Sequence, residues 1–182
     1  AILLEPSIDN IVAQLSILYC GGTCVPLDIN QPSLRLQSLI DNLNVEVAIT
    51  REVSDDTIKV KNLLKPQELY SSVNQYDPMS SDFPTITLEH RTHILHTSGT
   101  SGVPKAVEIL SKGILRLAFN TEFCPFNKND AVAHISNPTF DASLFEIYGA
   151  LLNGCTLHIF PKDKILDVSA FSSSLKEKEI SI

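Results

Sequence analysis

The chain lacks any apolar run near the roughly 20 residues that a membrane-spanning helix requires. It also shows no charged leader with a signal-type apolar core before its first apolar stretch, so a soluble, cytoplasmic protein is expected. Basic excess is missing too: 14 Lys and Arg are scattered against 21 Asp and Glu, and the net charge is -7. With no basic face to neutralise a phosphodiester backbone, nucleic acid is not an expected partner. Cysteine is scarce and wrongly spaced for chemistry. Cys20 and Cys24 match neither a zinc knuckle nor a redox CxxC pair; with Cys124 and Cys155 they are expected to be reduced core thiols. His93 and His96 lie in "RTHILHT", where a strand sends positions three apart to opposite faces, so no shared metal site is assigned.

What is present is an ordinary globular mixture, 182 residues with 43% hydrophobic and 19% charged, enough for one core. The chain starts at Ala1 and stops at "EISI", and it reads as a piece of something longer. Short apolar runs alternate with helical patterns. "AILLE" reads as a strand; Ser7 caps a helix over 8–20 that ends at Gly21 and Gly22. "TCVPL" is a second extended piece. A helix over 33–43 shows Leu34, Ile40 and Leu43, and "VEVAIT" follows as a strand with Val45, Val47 and Ile49 alternating. From about 51 to 84 the pattern fades into Ser, Asp, Asn and Pro, which fits an exposed connection. Strands then return at "HILHT", "AVEI", "AVAHI" and "TLHIF", with helices near 111–123, 143–152 and 168–178. This rhythm predicts an α/β fold with mostly parallel sheets covered by helices.

Between "HILHT" and "AVEI" lies "HTSGTSGVPKAVEI". Its glycines let backbone N–H groups approach an anion closely, Thr97, Ser98, Thr100 and Ser101 add hydroxyl donors, and Lys105 adds a point charge. Such a loop suits a polyphosphate; the plainer alternative is a flexible Ser/Gly hairpin. A nucleotide-binding P-loop needs four residues between its glycines and a helix after its Lys. Here two residues separate Gly99 from Gly102, and a strand pattern follows Lys105.

"HTSGTSGVPKAV" resembles the signature phosphate loop of the AMP-forming adenylating enzymes, which include acyl-CoA synthetases, luciferases and the adenylation domains of nonribosomal peptide synthetases. "LYCGGTCVPLDINQPSLRLQSLIDN" is similar to the upstream stretch of that family, and "FDASLFEIYGALLNGCTLHI" to a downstream stretch of its peptide-synthetase branch. Two departures stand out. Ser101 and Gly102 replace the usual second Thr-Gly, and Ala106 stands where a Gly commonly follows the Lys, which would crowd the loop if that position needed a positive φ.

The resemblance implies that Thr97, Ser98, Gly99, Thr100, Ser101, Gly102 and Lys105 hold nucleotide phosphates. It also implies that Asp141 pairs with the α-amino group of an amino-acid substrate, with Ala142 and Phe145 shaping the first part of its pocket. Read from the residues alone, Asp141 could instead cap the helix and Phe145 could be ordinary core. Ser143 with Glu146 three residues on already matches a capping box, which leaves Asp141 free in an apolar neighbourhood.

The implied reaction joins a carboxylate to ATP with Mg²⁺, then passes the acyl group to a phosphopantetheine thiol on a carrier protein within a larger synthetase. The family's later motifs and its small C-terminal domain, which bears the principal catalytic Lys, have no counterpart here. Residues 1–182 are therefore expected to be part of an adenylation domain that does not turn over alone. A catalytically inactive remnant or docking module that keeps the fold is the alternative.

Overall fold

The computed structural model describes residues 1–51, 58–72, 83–97, 105–119 and 121–182. The first sheet is parallel, in the order β1 (Ile2–Leu3), β2 (Val47–Thr50) and β3 (Asn62–Leu64). The extended "TCVPL" piece fastens it to a second sheet. Ile2 donates to Val25 O and Leu27 donates to Ile2 O, both at 2.9 Å, while Cys24 donates to Thr92 O at 2.8 Å and Ile94 to Cys24 O at 2.9 Å. Thr92 and Ile94 belong to β4 (Arg91–Thr97), which pairs with β5 (Lys105–Leu110) as an antiparallel hairpin. A third sheet pairs β6 (Ala131–His134) with β7 (Thr156–Ile159) in parallel. The expected α/β architecture is present, with the hairpin as its antiparallel exception: neighbouring strands joined by a short loop need no crossover helix. Among the described residues no helix is long and apolar enough to cross a membrane.

Helix boundaries follow local chemistry. In α1 (Ile8–Tyr19) the Ser7 side chain accepts from Asn10 N, and the helix ends as the Gly-Gly pair demands. Gly21 has φ 72°, and the N–H groups of Gly21 and Gly22 return to Leu18 O and Ile17 O, a Schellman closure. α5 (Asp141–Leu152) ends the same way. Gly154 has φ 71°, and Gly154 and Cys155 donate back to Leu151 O and Ala150 O. The remaining helices are α2 (Ser33–Asn42), α3 (Pro66–Ser72), α4 (Ser111–Phe119), α6 (Lys162–Leu166) and α7 (Val168–Glu177).

Several expectations are corrected. β3 and α3 fall in the stretch read as structureless, because pairing with β2 makes a strand of a segment whose own pattern is weak. Residues 52–57 and 73–82 lie outside the described residues. β2 does not alternate: Ala48 and Ile49 belong to different core clusters, so both faces of this central strand are covered. Leu34 is 86% exposed, and α2 instead buries Leu36, Leu39 and Ile40. Cys20 is exposed and Cys124 intermediate, leaving only Cys24 and Cys155 as buried thiols among four free ones. The capping box at Ser143 is also absent. α5 starts two residues earlier, the Ser143 hydroxyl donates to Phe140 O at 2.6 Å, and Glu146 is drawn to other partners.

Between α1, β4, α4 and α5 lies a cluster of Ile11, Leu95, Ile114, Leu144, Ile147 and Tyr148. Each large apolar side chain so buried contributes about 1.5–3 kcal/mol. A polar chain threads this core. Asn10 donates to Leu4 O at 2.8 Å, Gln14 Nε2 donates to Asn10 Oδ1 at 2.7 Å, and Gln14 Oε1 meets His93 Nε2 at 3.1 Å. Tyr148 Oη lies 3.2 Å from His93 Nε2 and 3.4 Å from Gln14 Oε1. His93 and His96 do face different surroundings, one fully buried and one half-buried.

Two predictions follow from this packing. Burial pushes the His93 imidazole down to about 4, so the folded chain holds it neutral where an unfolded histidine, near 6.5, takes up a proton. Stability is therefore fully present above about pH 6.5 and falls as pH drops toward about 4; in urea titrations His93→Gln lowers stability at neutral pH and flattens that fall. Second, a Cβ on Gly149 would collide with the ring of Phe126. Gly149→Ala should cost about 1–3 kcal/mol in the same assay, partly recovered by Phe126→Leu, since the strain is overpacking against one side chain.

Candidate functional site

The antiparallel ladder of β4 and β5 carries the candidate phosphate loop at its open end. The last register pair is Thr97 with Lys105, and Thr97 Oγ1 donates to Lys105 O at 3.4 Å. Ser98, Gly99, Thr100, Ser101 and Gly102 lie outside the described residues; Thr97 and Lys105, both exposed, flank them. Lys105 opens a strand rather than a helix, which removes the P-loop reading. Ala106 pairs with His96 within the ladder, and Asn44 and Glu179 are the only described non-glycine residues with positive φ. An alanine is thus unstrained where the family resemblance has glycine. Among the described residues Lys105 makes no ion pair, in contrast to Arg91 and Lys112, which reach Glu108 and Glu89. An exposed cation without an ion pair among the described residues, next to a glycine-rich segment of sequence, fits a polyphosphate.

The second part of the site is the start of α5. Phe140 occupies the cap position without a side-chain bond, and Asp141 Oδ1 accepts from Ala142 N at 2.9 Å. Asp141 and Ala142 are exposed, not enclosed by apolar neighbours as the flanking residues suggested. The flanking Phe140 is itself 58% exposed, while Leu144 is buried in the core. Phe145, one turn beyond Asp141, is half-buried, with ring centroids 5.6 Å from Phe123 and 5.0 Å from Phe126. Its packing role is therefore established by these ring contacts.

The two parts meet. A cavity of about 200 Å³ reaches from His96 and Thr97 across Arg35 and Asp28 to Thr139 and Phe140, the residue before Asp141. Burial, and then the nearby Arg35 charge, lower the pKa of His96, so this end of the cavity is neutral imidazole beside a guanidinium. The first turns of α5 are tied to the preceding loop by a cluster that the motif reading missed. Glu146 Oε2 lies 2.6 Å from His134 Nδ1 and accepts from Ser136 N at 3.2 Å, while Glu146 Oε1 accepts from Ser136 Oγ at 2.6 Å. A signal was available: Glu146 is the one acid inside the apolar run "SLFEIYGALL", and a half-buried carboxylate there requires donors. Among the described residues no group of three or more His, Cys, Asp or Glu could hold a metal ion.

Known proteins are similar to this chain in sequence and in fold. The family model described as AMP-binding enzyme matches residues 1–182. A nonribosomal peptide synthetase, asaC, of Aspergillus flavus is 39% identical over 98% of the chain, which spans 18% of that relative. An aldehyde reductase, lnaA, of the same organism is 34% identical over 100% of the chain, again 18% of the relative. The solved N-terminal subdomain of Klebsiella oxytoca NpsA, in complex with 3-hydroxybenzoyl-AMSN, superimposes with a TM-score of 0.86 at 26% identity, covering 98% of this chain and 44% of that one. The chain spans less than half of each of these proteins. A loop flanked by Thr97 and Lys105, a helix opening at Asp141 and a family match over every residue lead to one assignment: the chain belongs to the AMP-binding enzyme family.

Proposed function

We propose that this chain supplies the phosphate-loop half of an adenylation site that joins an α-amino acid to ATP, giving an acyl-adenylate and pyrophosphate. In this reading the acyl group then passes to a phosphopantetheine thiol on a carrier domain, with further synthetase domains as partners. The observation that carries it is the cavity joining Thr97 to Phe140, because it brings the loop end and the start of the Asp141 helix to one space. Thr97, Ser98, Gly99, Thr100, Ser101, Gly102 and Lys105 are assigned to the nucleotide phosphates, whose charge Mg²⁺ would help to spread. Their work is to stabilise charge on the departing pyrophosphate, the dominant demand of such a transfer. Relatives named for peptide synthesis and for aldehyde reduction share this segment, so the reaction assigned to it is the first step, carboxylate activation.

Asp141 is assigned to the substrate ammonium, with Ala142 and Phe145 beside it. A site built around a carboxylate discriminates against acids that lack the positive charge, because covering the carboxylate unpaired is costly. The exposed Asp141 acquires that cover from the rest of a parent adenylation domain, which in this reading also contributes the principal catalytic Lys. The experiment is labelled pyrophosphate exchange into ATP, screened across amino acids. The parent polypeptide is expected to exchange with a subset of α-amino acids, and Asp141→Ala to lower kcat/KM about 10²-fold. The 182-residue chain alone is expected to show no exchange. Exchange by the isolated chain, or undiminished exchange in Asp141→Ala, contradicts the reading.

A further inference from the structure

The turn that delivers the chain to Asp141 is held by a residue from the opposite end of the sequence. Asn137 Nδ2 donates to Asp28 Oδ2 at 3.0 Å, across 109 positions. Both side chains are otherwise occupied. Asp28 Oδ1 accepts from Asn30 N at 3.0 Å and Asn30 Nδ2 at 3.1 Å, and Asn30 Nδ2 also donates to Glu5 Oε1 at 2.7 Å. On the other side Asn137 Oδ1 accepts from Thr139 N at 3.0 Å and Thr139 Oγ1 at 2.9 Å, and Phe140 N donates to Asn137 O at 3.0 Å. Asn137 thus shapes the 137–140 turn, and Asp28 anchors Asn137 to the stretch that follows "TCVPL".

This bond is also a partition. Leu27, Asp28, Asn137 and Thr139 line both the 200 Å³ cavity that reaches Thr97 and a neighbouring one of about 350 Å³ that runs to Phe160 and Leu166. Glu146 already fastens the start of the same loop through Ser136. With one end clamped by α5 itself and the middle clamped by Asp28, the turn has a single way to enter the helix. A half-buried carboxylate that accepts from three donors is a stiff anchor, because each bond to the ionised group is stronger than a neutral one.

We infer that Asp28 is a positioning residue for acid recognition: through Asn137 it fixes the 137–140 turn and hence where Asp141, Ala142 and Phe145 stand relative to Thr97. The inference rests on the adenylation reading above. It assigns Asp28 no contact with substrate and no part in phosphate binding.

A charge swap tests it. Asp28→Asn turns an amide toward the Asn137 amide, and Asn137→Asp sets one carboxylate against another. The double variant D28N/N137D restores a donor facing a carboxylate while leaving acceptors for Asn30 and Thr139. In the full polypeptide that carries this segment, each single variant is expected to speed amide hydrogen exchange over 135–140. Each is also expected to raise KM for the acid about tenfold with KM for ATP nearly unchanged, and the double variant to return both within about twofold. Faster exchange with an unchanged acid KM, an equal rise in KM for ATP, or no recovery in the double variant overturns the inference. If the unsubstituted protein activates no acid, the adenylation reading falls and the positioning role with it. Amide exchange then separates the two failures, since a clamp without function still shows faster exchange in the single variants and recovery in the swap.

Discussion

The side chain of Gln14 joins three elements that the site cannot do without. It bonds within α1 to Asn10, across to His93 of β4, and to Tyr148 of α5, while Cys24 Sγ donates to its backbone oxygen. β4 ends at Thr97 and α5 begins at Asp141, so this buried amide ties together the two elements that carry the candidate site residues. In low dielectric a buried network of this kind is costly to disturb, because losing one member strands the others at the cost of their desolvation; His93 Nδ1 is itself buried without a partner among the described residues. His93 tolerates this setting because burial keeps it neutral.

Around that hub, polar contacts of very different sequence separation converge on the loop before α5. Glu146 reaches back to His134 and Ser136, and Asp28 reaches forward to Asn137. The helix start is thereby placed by side chains rather than by a capping residue, since Phe140 has no side-chain bond to offer. Among the described residues that arrangement leaves the Asp141 carboxylate, which is exposed, with Ala142 N as its hydrogen-bond partner. At the other end Lys105 is exposed and makes no ion pair among the described residues.

Elements with strong local signals were legible in the sequence. Ser7 and the paired glycines bound α1, Asn153 with Gly154 ends α5, and the strand after Lys105 was visible in "AVEI". What escaped depends on distant partners. β3 exists because β2 lies beside it, Leu34 is outside because α2 packs through Leu36, Leu39 and Ile40, and Glu146 serves a strand histidine rather than its own helix end. For the candidate site, motifs pointed to Thr97, Lys105, Asp141, Ala142 and Phe145, whose roles remain proposals. They carried no sign that Asp141 is exposed or that Phe145 leans on Phe123 and Phe126, because those facts belong to packing.

In this reading the hairpin end bearing Thr97 and Lys105 is a seat for nucleotide phosphates. Calorimetric titration of Mg-ATP into the folded chain, and into Lys105→Ala and Thr97→Ala, tests it most directly. Measurable binding that weakens about tenfold or more in both variants is the predicted result. Binding of equal strength in all three, or none to well-folded protein in the complete parent polypeptide, contradicts it.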